Sequence, residues 1–312
     1  MKKILSSILV LLFSCSGAEE AKDTLSYDYE AVEETQGETP CQEKEQFCDG
    51  DQAVECIGGQ YQYHKCGEKE FCNFGKCAGI HVAFPKDAAS HDVVMEWWYY
   101  TGHLTDGAGE WGFQVTIFKV NEDFFGATGY MCHVAVIDKK SKEHYYSYSL
   151  TSVADMWTDS PAEFMVNECH LKLDGAGTDA VRAAIPEGEE GNGKKGGWEI
   201  DISLETEKKA AYHGTDGIVR MGSEGNDSYY YSYTRMNAQG ELTTPDGKRA
   251  VTGQGWMDHQ WGMFDINAFK GWDWWSMQFE DGYEVMLFQF RDWSDNLVHQ
   301  AGTISDPQGN LT

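Results

Sequence analysis

Three stretches of this chain concentrate side chains that can hold, give or stabilise charge. The first is His91-Asp92-Val93-Val94-Met95-Glu96-Trp97-Trp98-Tyr99-Tyr100-Thr101-Gly102-His103-Leu104. The second is Gly253-Gln254-Gly255-Trp256-Met257-Asp258-His259-Gln260-Trp261-Gly262, and the third is Trp272-Asp273-Trp274-Trp275-Ser276-Met277-Gln278. In each, carboxyl or imidazole groups stand among indole and phenol rings. A carboxylic acid buried among such rings has its pKa raised, so it is still protonated when a reaction needs a proton. The ring faces can stabilise a developing cation through their quadrupoles. These residue types suit acid–base chemistry on an apolar molecule, with Glu96, Asp258, His259 and Asp273 as candidate proton carriers. Trp97, Trp98, Tyr99, Trp256, Trp272 and Trp274 are candidate ligand contacts, although tryptophans more often build core or cavity wall than perform chemistry. An Asp-His pair between two tryptophans can equally be a buried hydrogen-bond network that locks two strands. Glu96 beside Trp97 and Trp98 is open to the same reading.

Other site types find little support. No G-x-S-x-G elbow marks a serine hydrolase of the usual α/β kind, and no H-E-x-x-H occurs. His91, His103, His133 and His259 could gather around a metal, but no spacing demands one, so no metal is assigned. No glycine-rich loop fits a nucleotide, and no cofactor is read.

The elements that must position these residues are strands. Trp198, Ile200, Ile202 and Leu204 alternate with Glu199, Asp201 and Ser203, a period of two with one wet face. Tyr229, Tyr231 and Tyr233 alternate in the same way, as do Trp111, Phe113, Val115 and Ile117. Asp106-Gly107, Asp174-Gly175, Asp246-Gly247 and Asp281-Gly282 supply turns between runs, and residues 188–197 read as a long exposed hairpin loop. No long helical stripe interrupts them. The body from about Gly79 is therefore expected to be an all-β, antiparallel barrel or sandwich, able to enclose an apolar ligand. Cys132 and Cys169 fall in two of its strands, as a disulfide staple or as buried thiols.

The N-terminal quarter reads differently. Lys2 and Lys3 precede an apolar run at residues 4–13 that is too short for a stable membrane span. Leu12-Phe13-Ser14-Cys15 follows, the pattern cut by the lipoprotein signal peptidase, which makes residues 1–14 a signal peptide. The cut would leave Cys15 carrying diacylglycerol and an acyl chain, an anchor held by roughly 0.8 kcal/mol per buried CH₂. Ser16 after the cysteine favours the outer membrane. Residues 15–40 form the lipidated start and an acidic, extended tether. Residues 41–78 hold Cys41, Cys48, Cys56, Cys66, Cys72 and Cys77. An even set in a short exported segment reads as a disulfide framework, with fifteen connectivities open and zinc as the rival. Over the whole chain, 51 acidic and 24 basic residues leave a net charge of −27. That surface repels phosphate backbones, which argues against nucleic acid as a partner, and it leaves membrane attachment to the lipid on Cys15.

Taken in order, E-W-W-Y-Y-T-G-H-L, W-G-F-Q-V-T-I-F, G-W-M-D-H-Q-W-G and W-D-W-W-S-M-Q resemble the AttH/CrtC group of lipocalin-like proteins, which includes carotenoid 1,2-hydratases and exported proteins called predicted hydrolases. The resemblance covers roughly residues 80–312. It implies two lipocalin-like β domains in tandem, the first over residues 79–268 and the second over 269–312. Only Leu311 and Thr312 follow the turn signal Asp306-Pro307-Gln308-Gly309-Asn310, so the second domain is expected to be incomplete and the chain a truncated product. By the same resemblance His259 and Trp261 lie at the active site, with an acid slightly downstream. Asp273 is the nearest carboxyl group there, with Asp258 and Glu96 behind it. The implied chemistry is hydration, isomerisation or a related non-redox reaction on an apolar small molecule. The alternative is a lipid-anchored carrier that binds such a molecule without changing it.

Overall fold

The period-two pattern becomes strands in the computed structural model of the chain. It describes residues 41, 46–49, 52–65, 70–73, 76–79, 82–120, 128–152, 154–156, 162–186, 196–215, 217–221, 227–262 and 269–312. The signal, Cys15 and tether expected over residues 1–40 lie outside these, as do Cys66 and most of the loop expected at 188–197.

In the cysteine-rich segment, β1 (Gln46–Asp49), β2 (Gln52–Ile57) and β3 (Gln60–Lys65) form one antiparallel sheet. Strands β4 (Glu70–Asn73) and β5 (Lys76–Gly79) form a second, with Cys72 opposite Cys77. Cys41 and the buried Cys56 are joined. The partners of Cys48, Cys66, Cys72 and Cys77 lie outside the described side chains.

The body is a curled, antiparallel, lipocalin-like sheet. Its first four strands are β6 (Met95–Thr105), β7 (Glu110–Val120), β8 (Gly129–Asp138) and β9 (Glu143–Thr151). Then come β10 (Asp155–Met156), β11 (Ala162–Val166), β12 (Cys169–Leu173), β13 (Thr178–Ile185) and β14 (Trp198–Thr206). The short β15 (Ala211–Tyr212) and β16 (Ile218–Arg220) both pair with the long β17 (Asp227–Thr244), which leads into β18 (Gly247–Gly262). The spatial order is β10-β11-β12-β13-β14-β17-β18-β6-β7-β8-β9, so late strand β18 lies beside early strand β6. Among the described residues the one helical element is a single 3₁₀ turn, Lys86–Ala88, and no helix is long and apolar enough to cross a membrane.

The four expected turns all form. Gly107, Gly175, Gly247 and Gly282 take φ of 85°, 70°, 120° and 87°, the region that favours glycine. Two other glycines explain part of the sequence motifs. A Cβ on Gly253 would stand 1.8 Å from the His103 carbonyl oxygen, and one on Gly102 would stand 2.2 Å from that of Gln254. These glycines let β6 and β18 approach where they carry the clustered chemistry.

The two ends of the curled sheet close over one another. Cys132 on β8 is bridged to Cys169 on β12, across a sequence separation of 37. Closing a loop of that length stabilises the fold by about 4 kcal/mol in the chain-entropy picture. Trp98 packs on Phe164 with centroids 4.3 Å apart, and Tyr145 packs on Trp198 at 4.8 Å. The segment before β6 plugs the interior. Val82, Ala88 and Ala89 are buried in the core, the Trp98 indole donates to the Ala88 carbonyl at 3.1 Å, and Phe84 lies against Tyr231 at 4.8 Å.

A separate three-stranded sheet, β19 (Gly271–Gln278), β20 (Glu284–Arg291) and β21 (Leu297–Ser305), packs on the outside of the body. Tyr230 and Trp256 of the body meet Met286, Phe288 and Phe290 there. Glu284, fully buried, ties the two layers by accepting from Lys208 Nζ at 2.6 Å and Arg235 Nε at 2.5 Å. Beyond β21 the Asp306 turn forms, with Asp306 Oδ1 accepting from the Gln308 and Asn310 amides, and Leu311 bridges back to Ser305.

Candidate functional site

The β6–β18 register sets the site. Glu96 opposes Trp261, Trp98 opposes His259 and Tyr100 opposes Met257. Directly opposed residues share a face, and neighbours along a strand take opposite faces. Glu96, Trp98, Tyr100, His259 and Trp261 therefore face the interior. Trp97, Tyr99, Trp256, Asp258 and Gln260 face the outer sheet. The Asp258–His259 pair considered as one network is divided by the strand itself: the two side chains serve different layers.

In the interior, Glu96 and His259 are both fully buried. Glu96 Oε1 lies 3.0 Å from His259 Nε2 and 2.7 Å from His91 Nδ1. Its Oε2 accepts from the His91 amide at 2.9 Å and the Ser90 hydroxyl at 3.1 Å, with Lys119 Nζ 3.6 Å away. Burial alone pushes the Glu96 pKa up, but the hydrogen bonds from His259 and His91 and their charge outweigh it, holding this carboxylate well below the usual range. Burial pushes His259 down to about 4, against the pull of Glu96, so its ring is neutral near pH 7. The far nitrogen of His259, Nδ1, lies 3.3 Å from the Tyr231 hydroxyl, and that of His91, Nε2, lies 3.3 Å from Asp87 Oδ1. The rings are clamped. His91 stacks on Trp261 at 4.1 Å with planes 1° apart, and Trp98 stacks on His259 at 4.7 Å.

A second carboxyl group enters the same interior from β13. Asp179 is buried and accepts from the Tyr100 hydroxyl at 2.9 Å. Burial raises its pKa to about 7; the Tyr100 bond opposes the rise and the charge of Asp174 adds to it. The phenols of Tyr100, Tyr231 and Tyr233 are pushed up chiefly by burial and stay protonated, and Tyr231 feels the charges of both Asp179 and Glu96. One aromatic interior thus contains a carboxyl group that holds its proton near neutrality and another that does not.

The other candidate residues lie in the outer layer. Asp258 accepts from the Trp256 indole at 2.6 Å and from Ser232; burial raises its pKa to about 6, against bonds from Ser232, Trp256 and Tyr230. Ser232 also meets His213 Nε2 at 2.6 Å, and His213 Nδ1 meets Thr303 of β21 at 2.9 Å. With Ser232 donating to Asp258, His213 donates to Ser232 and accepts from Thr303, a polar line joining the two sheets. Trp97, Trp272 and Trp274 border a cavity of about 40 Å³, room for about one water molecule. Trp274 packs edge-on to Tyr99 and to Trp256. Asp273 points to the opposite face of β19, bonded to Arg291 Nη2 at 3.0 Å and Gln289 Nε2 at 2.9 Å. The structure therefore brings Glu96, Trp98, His259 and Trp261 together and leaves Asp258, Asp273, Trp97, Tyr99, Trp256, Trp272 and Trp274 elsewhere. His133 is buried against Gln114 and His103 is exposed, so neither joins the cluster.

Sequence reasoning missed Asp179, Tyr231, Tyr100 and Asp87 as members of the interior site, and it named His91 only as one of four histidines that could gather around a metal. Asp179 carried a signal: it shares the parity of Val181, Ala183 and Ile185, the buried face of its strand. Asp87 carried none, because it reaches His91 from the plug and not from a strand.

The AttH-like family model matches residues 77–312. An AttH-type protein of Nitrosomonas europaea superposes with a TM-score of 0.65 at 23% identity, over 74% of this chain and 71% of its own. Kievitone hydratase from Nectria haematococca superposes with a TM-score of 0.59 at 16% identity, over 75% of this chain and 68% of its own. At these identities the two structures speak to the fold alone. No curated protein matches the chain. The family match spans most of the chain, and the chain belongs to the AttH-like family.

Proposed function

We propose that the protein is a hydratase-type enzyme that protonates and adds water to an apolar, unsaturated small molecule in the sheet's interior, without redox change. The observation that carries this reading is the pair of carboxyl groups whose environments push them apart, Asp179 up to about 7 and Glu96 far down, in one aromatic interior. Asp179 gives its proton to one alkene carbon. The cation that forms on the other carbon is stabilised by the faces of Tyr231, Tyr233 and Trp98. Water bonds to that carbon, and its proton passes through the Tyr231 hydroxyl to His259 Nδ1, while Glu96 holds Nε2. Return of that proton to Asp179 closes the cycle. Phe84, packed against Tyr231 and Tyr233, is the side chain a ligand would displace on entry. One protein that shares this fold is named a hydratase, which makes this reaction class the first to test. The test is solvent extraction of the purified chain, with mass spectrometry of what co-purifies. Recovery of a hydrated molecule from the wild type and its unsaturated precursor from Asp179→Asn supports the enzyme. The same unaltered ligand in both forms makes the protein a carrier.

The chain is further proposed to be an exported lipoprotein, anchored in the outer membrane through Cys15. The order of its N-terminal residues supports this, and so do the Cys41–Cys56 and Cys132–Cys169 bridges, which suit an oxidising compartment. Cys15→Ala should move the protein from the membrane fraction to the soluble one; unchanged fractionation would sink the anchor.

A further inference from the structure

We infer that His91, Glu96 and His259 form a binding site for one divalent cation of the zinc class. One ligand atom from each of the three residues lies within 4.8 Å of the other two, and Glu96 Oε1 faces both His91 Nδ1 and His259 Nε2. Two imidazoles and a carboxylate are a donor set that zinc favours, and three protein ligands leave a fourth position for water. Metal–ligand bonds of roughly 2.0–2.1 Å put tetrahedral ligand atoms about 3.3 Å apart. Glu96 Oε1 now lies 2.7 Å and 3.0 Å from the two nitrogens, so the carboxylate needs to draw back from them by only a few tenths of an ångström.

The surroundings are those that metal ligands require. Each histidine has a partner for its far nitrogen, which sets the tautomer. In the cation-free site the two nitrogens that face Glu96 donate to it; a bound cation would take the other tautomers, with Nε2–H of His91 donated to Asp87 and Nδ1–H of His259 donated to the Tyr231 oxygen, which leaves lone pairs on the two nitrogens that face Glu96. The second oxygen of Glu96 is held by the Ser90 hydroxyl and the His91 amide, which orient the first. Trp261 and Trp98 fix both ring planes. Asp87 and Glu96 supply two carboxyl groups against one ammonium, Lys119, so a dication meets favourable charge. The three ligands come from the plug, β6 and β18, so the cation would also fasten the plug to the sheet. The site stands on this geometry and not on the proposed reaction, which uses His259 in its cation-free form.

The test uses the full chain, purified with its disulfides formed and stripped with a chelator. Zn²⁺ is titrated by calorimetry, and Co²⁺ is added separately for its visible spectrum. One equivalent of Zn²⁺ should bind, and Co²⁺ should give the intense bands of a tetrahedral site. His259→Ala should weaken binding by about 100-fold or more, and Asp87→Asn, which keeps all three ligands, by about 10-fold. His170→Ala, in a half-exposed His–Glu pair on β12, should change nothing. Failure of the wild type to bind one equivalent, or unchanged affinity in folded His259→Ala, would overturn the site. A weak, octahedral cobalt spectrum would do the same. None of these readouts depends on turnover, so a failed hydratase assay leaves the site standing and a failed titration leaves the hydratase standing.

Discussion

Replacing Asp179 by asparagine should make the protein more stable at neutral pH and inactive. Asp179 is buried, and its pKa is raised from an ordinary 3.8 to about 7. A raised acid pKa in the folded state means that its stabilising contribution is complete below about pH 3.8 and is lost as pH rises towards 7. That rise corresponds to on the order of 4 kcal/mol, lost between pH 4 and pH 7. Asparagine cannot ionise, has nearly the same shape, and its amide oxygen can still accept from Tyr100. Wild type and variant should therefore unfold in urea at similar midpoints at pH 4, and the variant should gain steadily up to pH 7. Taking the difference between the two proteins at each pH cancels the other titrating groups. Gaining stability while losing turnover is the signature of a group kept for chemistry at the expense of the fold. Parallel stability curves from pH 4 to pH 7.5 would refute the reasoning, because Asp179 would then titrate as an ordinary carboxyl group.

Glu284→Gln should cost about 3–5 kcal/mol, measured by urea unfolding, because it leaves Lys208 and Arg235 without their buried counter-charge. Replacing both Cys132 and Cys169 by serine should lower stability by about 4 kcal/mol, and added reductant should then no longer affect the body. Gly253→Ala should abolish soluble expression or lower Tm sharply, since its Cβ would stand 1.8 Å from the His103 carbonyl oxygen and β6 would have to move.

The strands and turns were legible because their causes are local. Alternation in residues 198–204 and 111–117 marks faces, and Asp-Gly pairs mark reversals. Gly102 and Gly253 could be read only as motif members, since the close approach that requires them joins strands about 150 residues apart. The same alternation that identified β18 also separates Asp258 from His259, a consequence legible in the sequence but not drawn from it. Glu96 and His259 were visible from residue type and setting. Asp273 drew attention by its place after the histidine motif, but β19 turns it towards Arg291. Asp179 was hidden by chemistry: an acid at an apolar-parity position looks like an exception until Tyr100 is seen to donate to it. His91 and Asp87 depend on how the plug folds back, and no periodicity records that. Among the six N-terminal cysteines, the Cys41–Cys56 bridge was one of many pairings the spacing allowed.

The central claim is that Asp179 and the Glu96–His259 pair serve one interior as proton donor and proton acceptor for the addition of water. Incubation with the co-purified unsaturated molecule in ¹⁸O-labelled water tests it most directly. The account predicts one ¹⁸O in the product of the wild type and none above background with Asp179→Asn or His259→Ala. Label incorporated equally by Asp179→Asn, or a product formed without label, would contradict it.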